Sequence, residues 1–314
     1  MIIEISTLFQ QVLLLITMLV PGFLIYKLHF GGKDFAKGLT NLVLYIAQPA
    51  MIISPFIRDF DKKLLPGIIG VLIFTFLAHL IFFGISMILF KKTRNDLRSV
   101  LRFAIVFSNS GYMGIPLIEA LLGSEAAIYA TVYNIAFHFF VWSVGCFIYS
   151  GEKKYFSINK IFVNPAVISV YIGLLIFFLP INDFIPDVVV SATDMLKGLV
   201  APLSMMLVGF HMASADFKGV IKEKGIWGST FVRLMVCPAV VFLVMKLVQI
   251  MGIYDNTVAA TVILIASATP AATATSMFAE KFDGDTRSSG VLVPLCTILA
   301  VISMPLVALL LKLY

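Results

Sequence analysis

Long apolar runs, separated by short stretches that carry nearly all the charges, dominate this sequence. A helix that crosses a bilayer needs about 20 mainly apolar residues, and inside lipid only helices or closed barrels satisfy every backbone polar group. The chain has a mean hydropathy of +1.02, and its sequence lacks the alternating ten-residue segments of a barrel. The sequence therefore predicts an all-α membrane protein. Ten candidate transmembrane helices cover approximately residues 7–27, 36–57, 65–90, 98–122, 126–149, 162–180, 188–212, 226–251, 256–280 and 288–313.

The basic residues predict the orientation of these ten spans. An even number of spans puts both ends of the chain on one face, so the 23 Lys and Arg residues can be assigned to sides. Six fall on the face of the termini, sixteen on the opposite face, and Arg233 falls within the eighth span. Because loops rich in Lys and Arg stay in the cytoplasm, both termini are predicted to lie outside. The net charge of +6 then reflects topology and does not indicate nucleic-acid binding.

The two halves of the chain resemble each other at a spacing near 160 residues. Four matches occur in the same order: KGL at 37–39 and 197–199, DF at 59–60 and 216–217, GIIG at 67–70 with GIWG at 225–228, and SNSGYMGIP from Ser108 with SATPAATAT from Ser267. Since each half holds five spans, the second half must enter the membrane with opposite polarity. The sequence thus predicts two inverted five-helix repeats, an architecture common among secondary transporters. The predicted division is residues 1–150, a cytoplasmic linker at 151–160, and residues 161–314.

The fourth and ninth spans each contain a cluster of helix-breaking residues at bilayer depth. The clusters are Ser108, Asn109, Ser110, Gly111, Gly114 and Pro116, and Ser267, Thr269, Pro270, Thr273, Thr275 and Ser276. Gly and Pro destabilise a helix interior, and unwound backbone inside a membrane is tolerated only where it lines a cavity or is buried in protein. A pair of broken helices in matching positions predicts a binding site, because half-helix N-termini favour an anion. The alternative is that these small residues merely allow close helix packing.

The sequence NSGYMGIPL at 109–117, together with FAEKF at 278–282, resembles the auxin efflux carrier family, whose bacterial members include malate and malonate permeases. The resemblance implies that helices 4 and 9 are broken and cross, with Asn109 contacting a substrate carboxylate and Pro116 at the crossing. Pro270 matches the start of the ninth-span motif, but the second crossing proline of the family falls on Thr275. The resemblance also implies a scaffold of helices 1, 2, 6 and 7, a transport unit of helices 3–5 and 8–10, and location in a bacterial inner membrane.

The predicted site follows from these clusters and from other polar residues within the spans. The predicted substrate-binding residues are Asn109, Ser110, Gly111, Pro116, Thr269, Pro270, Thr273, Thr275 and Asn134. The candidates for coupling or anion contact are Arg233, His79, His138 and Gln48, each of which has a structural alternative as a packing or hydrogen-bonded residue. When the two clusters are aligned, Ala268 takes the position of Asn109 and Thr275 takes the position of Pro116. Because only the first half has the asparagine and the proline, we expect the first half to hold the substrate.

Other features narrow the function. No Asp or Glu lies near the middle of a span, which disfavours a cation antiporter with a carboxylate pair, and Cys146, Cys237 and Cys296 lack ligand spacing. No metal site, cofactor or catalytic motif is predicted, so the chain is not expected to be an enzyme. The sequence predicts a secondary transporter that moves a small organic anion, such as malate, malonate or an auxin-like acid, by alternating access. A sodium- or proton-coupled symporter of another solute and a non-translocating receptor are the alternatives, and a second copy of the chain is a candidate partner besides substrate and lipid.

Overall fold

The computed structural model describes residues 5–30, 32, 34–151, 165–179 and 181–311, and these residues are predominantly helical. Within the described ranges there are twelve longer helical segments, besides a 3-10 turn at Asn182–Phe184 and a four-residue helix at Phe217–Val220. In chain order they are α1 Ile5–Lys27, α2 Phe35–Phe56, α3 Lys62–Ile88, α4 Asn95–Val106, α5 Ser110–Leu122, α6 Ser124–Ser150, α7 Pro165–Phe178, α8 Asp187–Ser214, α9 Lys224–Ile250, α10 Thr257–Ala268, α11 Ala274–Lys281 and α12 Thr286–Leu310.

Seven of these segments are long and apolar enough to cross a membrane: α1, α2, α3, α6, α8, α9 and α12. This finding confirms the all-helical membrane class predicted from hydropathy. The predicted fourth and ninth spans each correspond to two shorter helices, and α7 is a shorter apolar helix in the predicted sixth span. The count of ten spans stays a prediction. Apart from Gly151, the predicted linker at 151–160 lies outside the described residues.

Helices α4 and α10, which belong to the predicted fourth and ninth spans, lie at the centre of the molecule. Every residue of α10 from Ala259 to Ala268 is buried, and most of α4 from Leu97 onward is buried as well. By contrast, α8 has no buried residue between Asp187 and Gly198. Burial on all sides explains why α10 is uncharged and shows no polar face. Helix α4, by contrast, carries Asp96, Arg98 and Arg102 at exposed or half-buried positions.

The backbones of α1 and α8 approach each other closely because glycine occupies both sides of their contact. A Cβ atom built on Gly22 would lie 1.8 Å from the carbonyl oxygen of Met206, and one built on Gly209 would lie 2.0 Å from that of Leu19. Small residues that admit such contacts are the usual means of joining membrane helices. The first and eighth helical segments therefore form one tightly packed pair.

π-helical turns interrupt four of the segments, at Val43–Ala47, Ser110–Gly114, Val141–Gly145 and Val232–Val236. A π-turn widens the helix locally and leaves part of its hydrogen-bond ladder out of register, and such turns are frequent at functional sites. These four lie in or directly beside the residues that the sequence predicts for the site. Gln48 directly follows the first of these turns, Asn109 directly precedes the second, and Arg233 lies inside the last.

Candidate functional site

At the predicted crossing, the two short extended segments that follow α4 and α10 pair with each other. Helix α4 ends at Val106 and α10 ends at Ala268, and an isolated antiparallel bridge joins Ser108 to Ala271. The backbone N–H of Asn109 donates to the carbonyl of Pro270 across 2.7 Å, and the N–H of Ala272 donates to the carbonyl of Phe107 across 3.0 Å. Each break thus supplies hydrogen-bond partners that the other needs, which is how unwound backbone can persist in a buried position.

A new helix begins immediately after each crossing segment. Helix α5 begins at Ser110 and α11 begins at Ala274. The first N–H groups of a helix have no acceptor within it, and the aligned peptide dipoles give this end a partial positive charge equivalent to about +0.5. Two such ends, both adjacent to the bridge, create a region that favours a negative group.

A cavity lies beside the crossing. Its lining includes Ser108, Asn109, Gly111, Tyr112, Asn134, His138 and Gln48 on the polar side, and Ala272, Thr273 and Ala274 from the second break. The apolar lining consists of Leu44, Phe137, Val141, Trp142, Met277 and Phe278. The centre of a water molecule can occupy about 80 Å³ of this space, several times the roughly 10–15 Å³ that one water requires. The cavity therefore has room for a small solute or several waters.

Asn109 lines the cavity and has a side-chain amide donor without a hydrogen-bond partner among the described residues. Its side chain is 3% exposed, and its Nδ2 atom has no hydrogen-bond partner among the described residues. A buried amide N–H without a partner costs about 1–3 kcal/mol. A ligand carboxylate or an ordered water in the cavity would supply the missing acceptor.

Asn134 lines the same cavity as Asn109, but both ends of its side-chain amide already have hydrogen-bond partners. Its Nδ2 donates to the carbonyl of Ala130 at 2.9 Å, while its Oδ1 accepts from the hydroxyl of Ser110 at 3.1 Å. A Cβ built on Gly111 would lie 3.1 Å from the same Oδ1. Asn134 and Ser110 therefore fix the first turn of α5 against α6, and glycine at 111 leaves room for this contact.

A hydrogen-bonded chain crosses one wall of the cavity from α5 through α2 to α6. The hydroxyl of Tyr112 donates to Gln48 Oε1 at 3.2 Å, and Gln48 Nε2 lies 3.2 Å from His138 Nε2. Because an amide nitrogen only donates, His138 Nε2 is the acceptor, and a neutral imidazole then carries its proton on Nδ1. The chain joins a residue of α2 to two residues of the helices around the crossing.

The remaining predicted residues of the two clusters lie near the crossing but outside the cavity lining. Pro270 lies in the crossing itself, and the hydroxyl of Thr269 donates to the carbonyl of Ala266 at 2.8 Å. Pro116 lies seven residues beyond Asn109, near the start of a regular helical stretch. Thr275 is buried in the first turn of α11, and its carbonyl accepts from the hydroxyl of Tyr149.

His79 and Arg233 lie near the crossing but outside the cavity lining. His79 is buried among aromatic rings, stacks on Phe140, and donates through Nδ1 to the carbonyl of Thr75 at 2.8 Å. Arg233 is 0% exposed and donates to the carbonyls of Ile105 and Ser267. Neither side chain lines the cavity, and their predicted roles in coupling stay predictions.

Sequence reasoning missed part of the cavity wall. Tyr112, whose hydroxyl holds Gln48, lies inside the NSGYMGIPL motif and could have been selected because a tyrosine at bilayer depth needs a partner. Phe137, Trp142 and Phe278 also line the cavity, together with Ser108 of the predicted fourth-span cluster. Nothing in the sequence separates these aromatic residues from the many that pack elsewhere in apolar spans.

Comparison with known proteins identifies the family of this chain. A family model described as a membrane transport protein matches residues 7–162 and again residues 155–308. An uncharacterized transporter of Methanocaldococcus jannaschii is 23% identical over 286 residues, which cover 88% of this chain and 90% of that protein. A Rhizobium meliloti protein named "Putative malonate transporter" is 24% identical over 268 residues, covering 82% of this chain and 80% of that protein. The chain is an integral membrane protein and belongs to the auxin efflux carrier family of membrane transport proteins.

Proposed function

We propose that this protein is a secondary carrier of small organic carboxylates that works by alternating access about the crossing of its two broken helices. The observation that carries the proposal is the Nδ2 group of Asn109, which is buried without a partner among the described residues at a cavity bordered by two helix N-termini. Oriented N–H groups and two positive dipole ends suit a carboxylate. The name of the Rhizobium meliloti relative supports a small carboxylate as the substrate class.

The charges around the cavity support a singly charged carboxylate group at the crossing. No Asp, Glu, Lys or Arg occurs among the described residues that line it. The negative charge of a bound carboxylate is then met by the N-terminal dipole ends of α5 and α11, which together amount to about one positive charge. The apolar wall of Phe137, Trp142 and Phe278 would enclose the remainder of the solute.

The position of the cavity relative to the crossing supports an alternating-access cycle. Asn134 of α6 is hydrogen-bonded to Ser110 at the start of α5 and is therefore level with the crossing. From Asn134 the cavity lining continues along α6 to Trp142, in the direction of Ser150. On the opposite side of the crossing, Lys197 and Glu119 form an ion pair of 2.5 Å between α8 and α5. We propose that the protein has access at the cavity end and is closed at the Glu119 end, and that the basic-residue bias places the cavity end in the cytoplasm.

The wider architecture forms part of the same proposal. We propose ten spans in two inverted five-helix repeats, in which α4 with α5 and α10 with α11 are the broken fourth and ninth spans. The scaffold would consist of α1, α2, α7 and α8, with the remaining helices as the transport unit. Both termini would lie outside the bacterial inner membrane. The two overlapping matches of the family model support the division into repeats.

Transport in reconstituted vesicles tests the proposal. Purified protein would be placed in liposomes and uptake of labelled malonate, malate and indole-acetate measured, with empty liposomes and the Asn109→Ala variant as controls. We expect saturable uptake of at least one acid by the wild type and a marked loss in the variant. If no carboxylate of the panel moves, and none stabilises the purified protein against heat, the assignment of an organic-anion carrier is wrong.

A further inference from the structure

Arg233 is a fully buried cation whose partners are backbone carbonyls. The side chain is 0% exposed, lies in the π-helical turn of α9, and donates through Nη1 to the carbonyl of Ile105 at 2.8 Å and through Nη2 to that of Ser267. Its guanidinium carbon lies 5.1 Å from the centre of the Phe82 ring. Within the part of the chain that the structure describes, no Asp or Glu pairs with it. A buried charge of this kind needs compensation from elsewhere.

The two acceptors identify the source of that compensation. Ile105 is the penultimate residue of α4 and Ser267 is the penultimate residue of α10. The last carbonyls of a helix have no donor within it, and the helix end carries a partial charge equivalent to about −0.5. Two such ends balance the single positive charge of the guanidinium. Arg233 therefore caps both half-helices at the point where they enter the crossing.

Carbonyls at half-helix C-termini are also the groups that hold a coupling cation in carriers built on broken helices. In this chain the corresponding carbonyls already bind a side chain. We propose that Arg233 is a resident cation, which joins the two half-helix ends as a bound sodium ion would and keeps the crossing competent to bind substrate without a transported cation at this position. Only one part of the inference, the effect of Arg233 on carboxylate binding, rests on the proposed function.

A guanidinium suits this role better than an ammonium. Its planar fork donates to two separate acceptors at once, whereas a lysine ammonium is a compact point charge on a flexible stem. The Nε atom of Arg233 has no partner among the described residues, so the two Nη contacts are the polar contacts that position the group. The fixed spacing of these contacts sets the distance between the ends of α4 and α10.

The experiment compares the wild type with Arg233→Ala, Arg233→Lys and a matched Arg58→Ala control. Arg58 lies partly exposed in the connection between α2 and α3, away from the crossing. Thermal stability and binding of the carboxylate panel would be measured in sodium, potassium and choline chloride at equal ionic strength. Each variant would also be measured with millimolar guanidinium chloride, far below denaturing concentrations.

We expect the melting temperature of the wild type to be the same in sodium as in potassium. Loss of two charge-assisted hydrogen bonds should weaken substrate binding in Arg233→Ala by a factor on the order of ten or more. Guanidinium should restore binding and stability in Arg233→Ala and leave the wild type and Arg58→Ala unchanged, because removal of the side chain opens a site of matching shape. Arg233→Lys should retain stability better than substrate affinity.

Two results would overturn the inference: selective stabilisation of the wild type by sodium, or wild-type affinity in Arg233→Ala without added guanidinium. If Arg233→Ala does not fold, the sodium comparison on the wild type and the affinity of Arg233→Lys still decide the question. If the wild type binds no acid, the proposed function fails, while the guanidinium-dependent recovery of the melting temperature in Arg233→Ala tests the resident cation on its own.

Discussion

The backbone N–H of Asn109 donates to the carbonyl oxygen of Pro270 across 2.7 Å, and this bond ties the first broken helix to the second. The same residue lines the cavity, and its side-chain Nδ2 has no partner among the described residues. Asn109 therefore couples the geometry of the crossing to the place where we propose that a carboxylate binds. Any movement of the second crossing segment would move this side chain.

Asn109 variants should lose affinity while retaining the fold. Because the Nδ2 group makes no hydrogen bond within the described structure, its removal in Asn109→Ala deletes no internal contact of that group. We expect about a tenfold loss of carboxylate affinity, the effect of one hydrogen bond to a charged group. Asn109→Asp should lose more, since a second negative charge would face the ligand. Isothermal titration of the purified variants measures both, and Asn41→Ala on the exposed surface of α2 is the control. Equal affinities in all four proteins would contradict the site.

The second hydrogen bond of the bridge gives a test of the crossing itself. Ala272→Pro removes the N–H that donates to the carbonyl of Phe107, and leaving a buried carbonyl without a donor costs about 1–3 kcal/mol. We expect a lower melting temperature and loss of carboxylate binding. Ala272→Ser retains the N–H at the same position and should behave nearly as the wild type. Thermal unfolding in detergent compares them, and a fully stable, binding-competent proline variant would show that the bridge is dispensable.

The positions of the breaks could be predicted from sequence, but their register could not. Gly, Pro, Ser and Asn in an apolar span predicted an interruption near Ser108, and α4 ends at Val106 while α5 begins at Ser110. The match between the two halves aligned Ser108 with Ser267 as equivalent residues, but equivalence does not predict which residues pair with each other, and the bridge pairs Ser108 with Ala271. Backbone hydrogen bonds decide this pairing, and they leave no trace in side-chain identity.

The partners of Arg233 were beyond sequence reasoning for the same reason. A charged residue in an apolar span predicted a need for a partner, and the absence of nearby carboxylates left that partner open. The acceptors proved to be the carbonyls of Ile105 and Ser267, which any residue type could provide. The cavity wall of Tyr112, Gln48 and His138 likewise depends on the packing of α2 against the consecutive helices α5 and α6, with Gln48 64 and 90 residues from its two partners.

Tyr112 should matter for substrate affinity more than for stability. Tyr112→Phe keeps the ring but removes the hydroxyl that donates to Gln48, and Gln48 can then turn away from His138 into the cavity. A net loss of about 0.5–1.5 kcal/mol corresponds to roughly a two- to tenfold increase in KM. The same change at the exposed Tyr45, 63% accessible, is the control. Vesicle uptake measures KM, and an unchanged KM in Tyr112→Phe would remove the hydrogen-bonded chain from the proposed mechanism.

The close contact of α1 with α8 should tolerate no added side chain. Gly209→Ala would place a methyl group 2.0 Å from the carbonyl oxygen of Leu19, so the helices must move apart, at a cost typical of overpacking of about 1–3 kcal/mol. Gly198→Ala lies on the same helix, where an added methyl group would have no atom within 4 Å, and we expect it to be neutral or slightly stabilising. Chemical or thermal unfolding of the two variants separates packing from helix propensity. Equal stabilities would show that the α1–α8 contact is not tight in the membrane.

The ion pair of Lys197 with Glu119 provides the last test, which concerns access. Lys197 lies on α8 and Glu119 on α5, their side chains are only 19% and 26% exposed, and they meet on the side of the crossing opposite the cavity. If this contact keeps that side closed, Glu119→Lys and Lys197→Glu should each slow vesicle uptake and lower the melting temperature, because like charges then face each other. The double variant reverses the pair and should recover most of both properties. Glu125→Lys alters the same charge at the exposed start of α6 and controls for surface electrostatics. If uptake and melting temperature in the double variant are no higher than in the poorer single variant, a direct ion pair between these two residues does not keep this side closed.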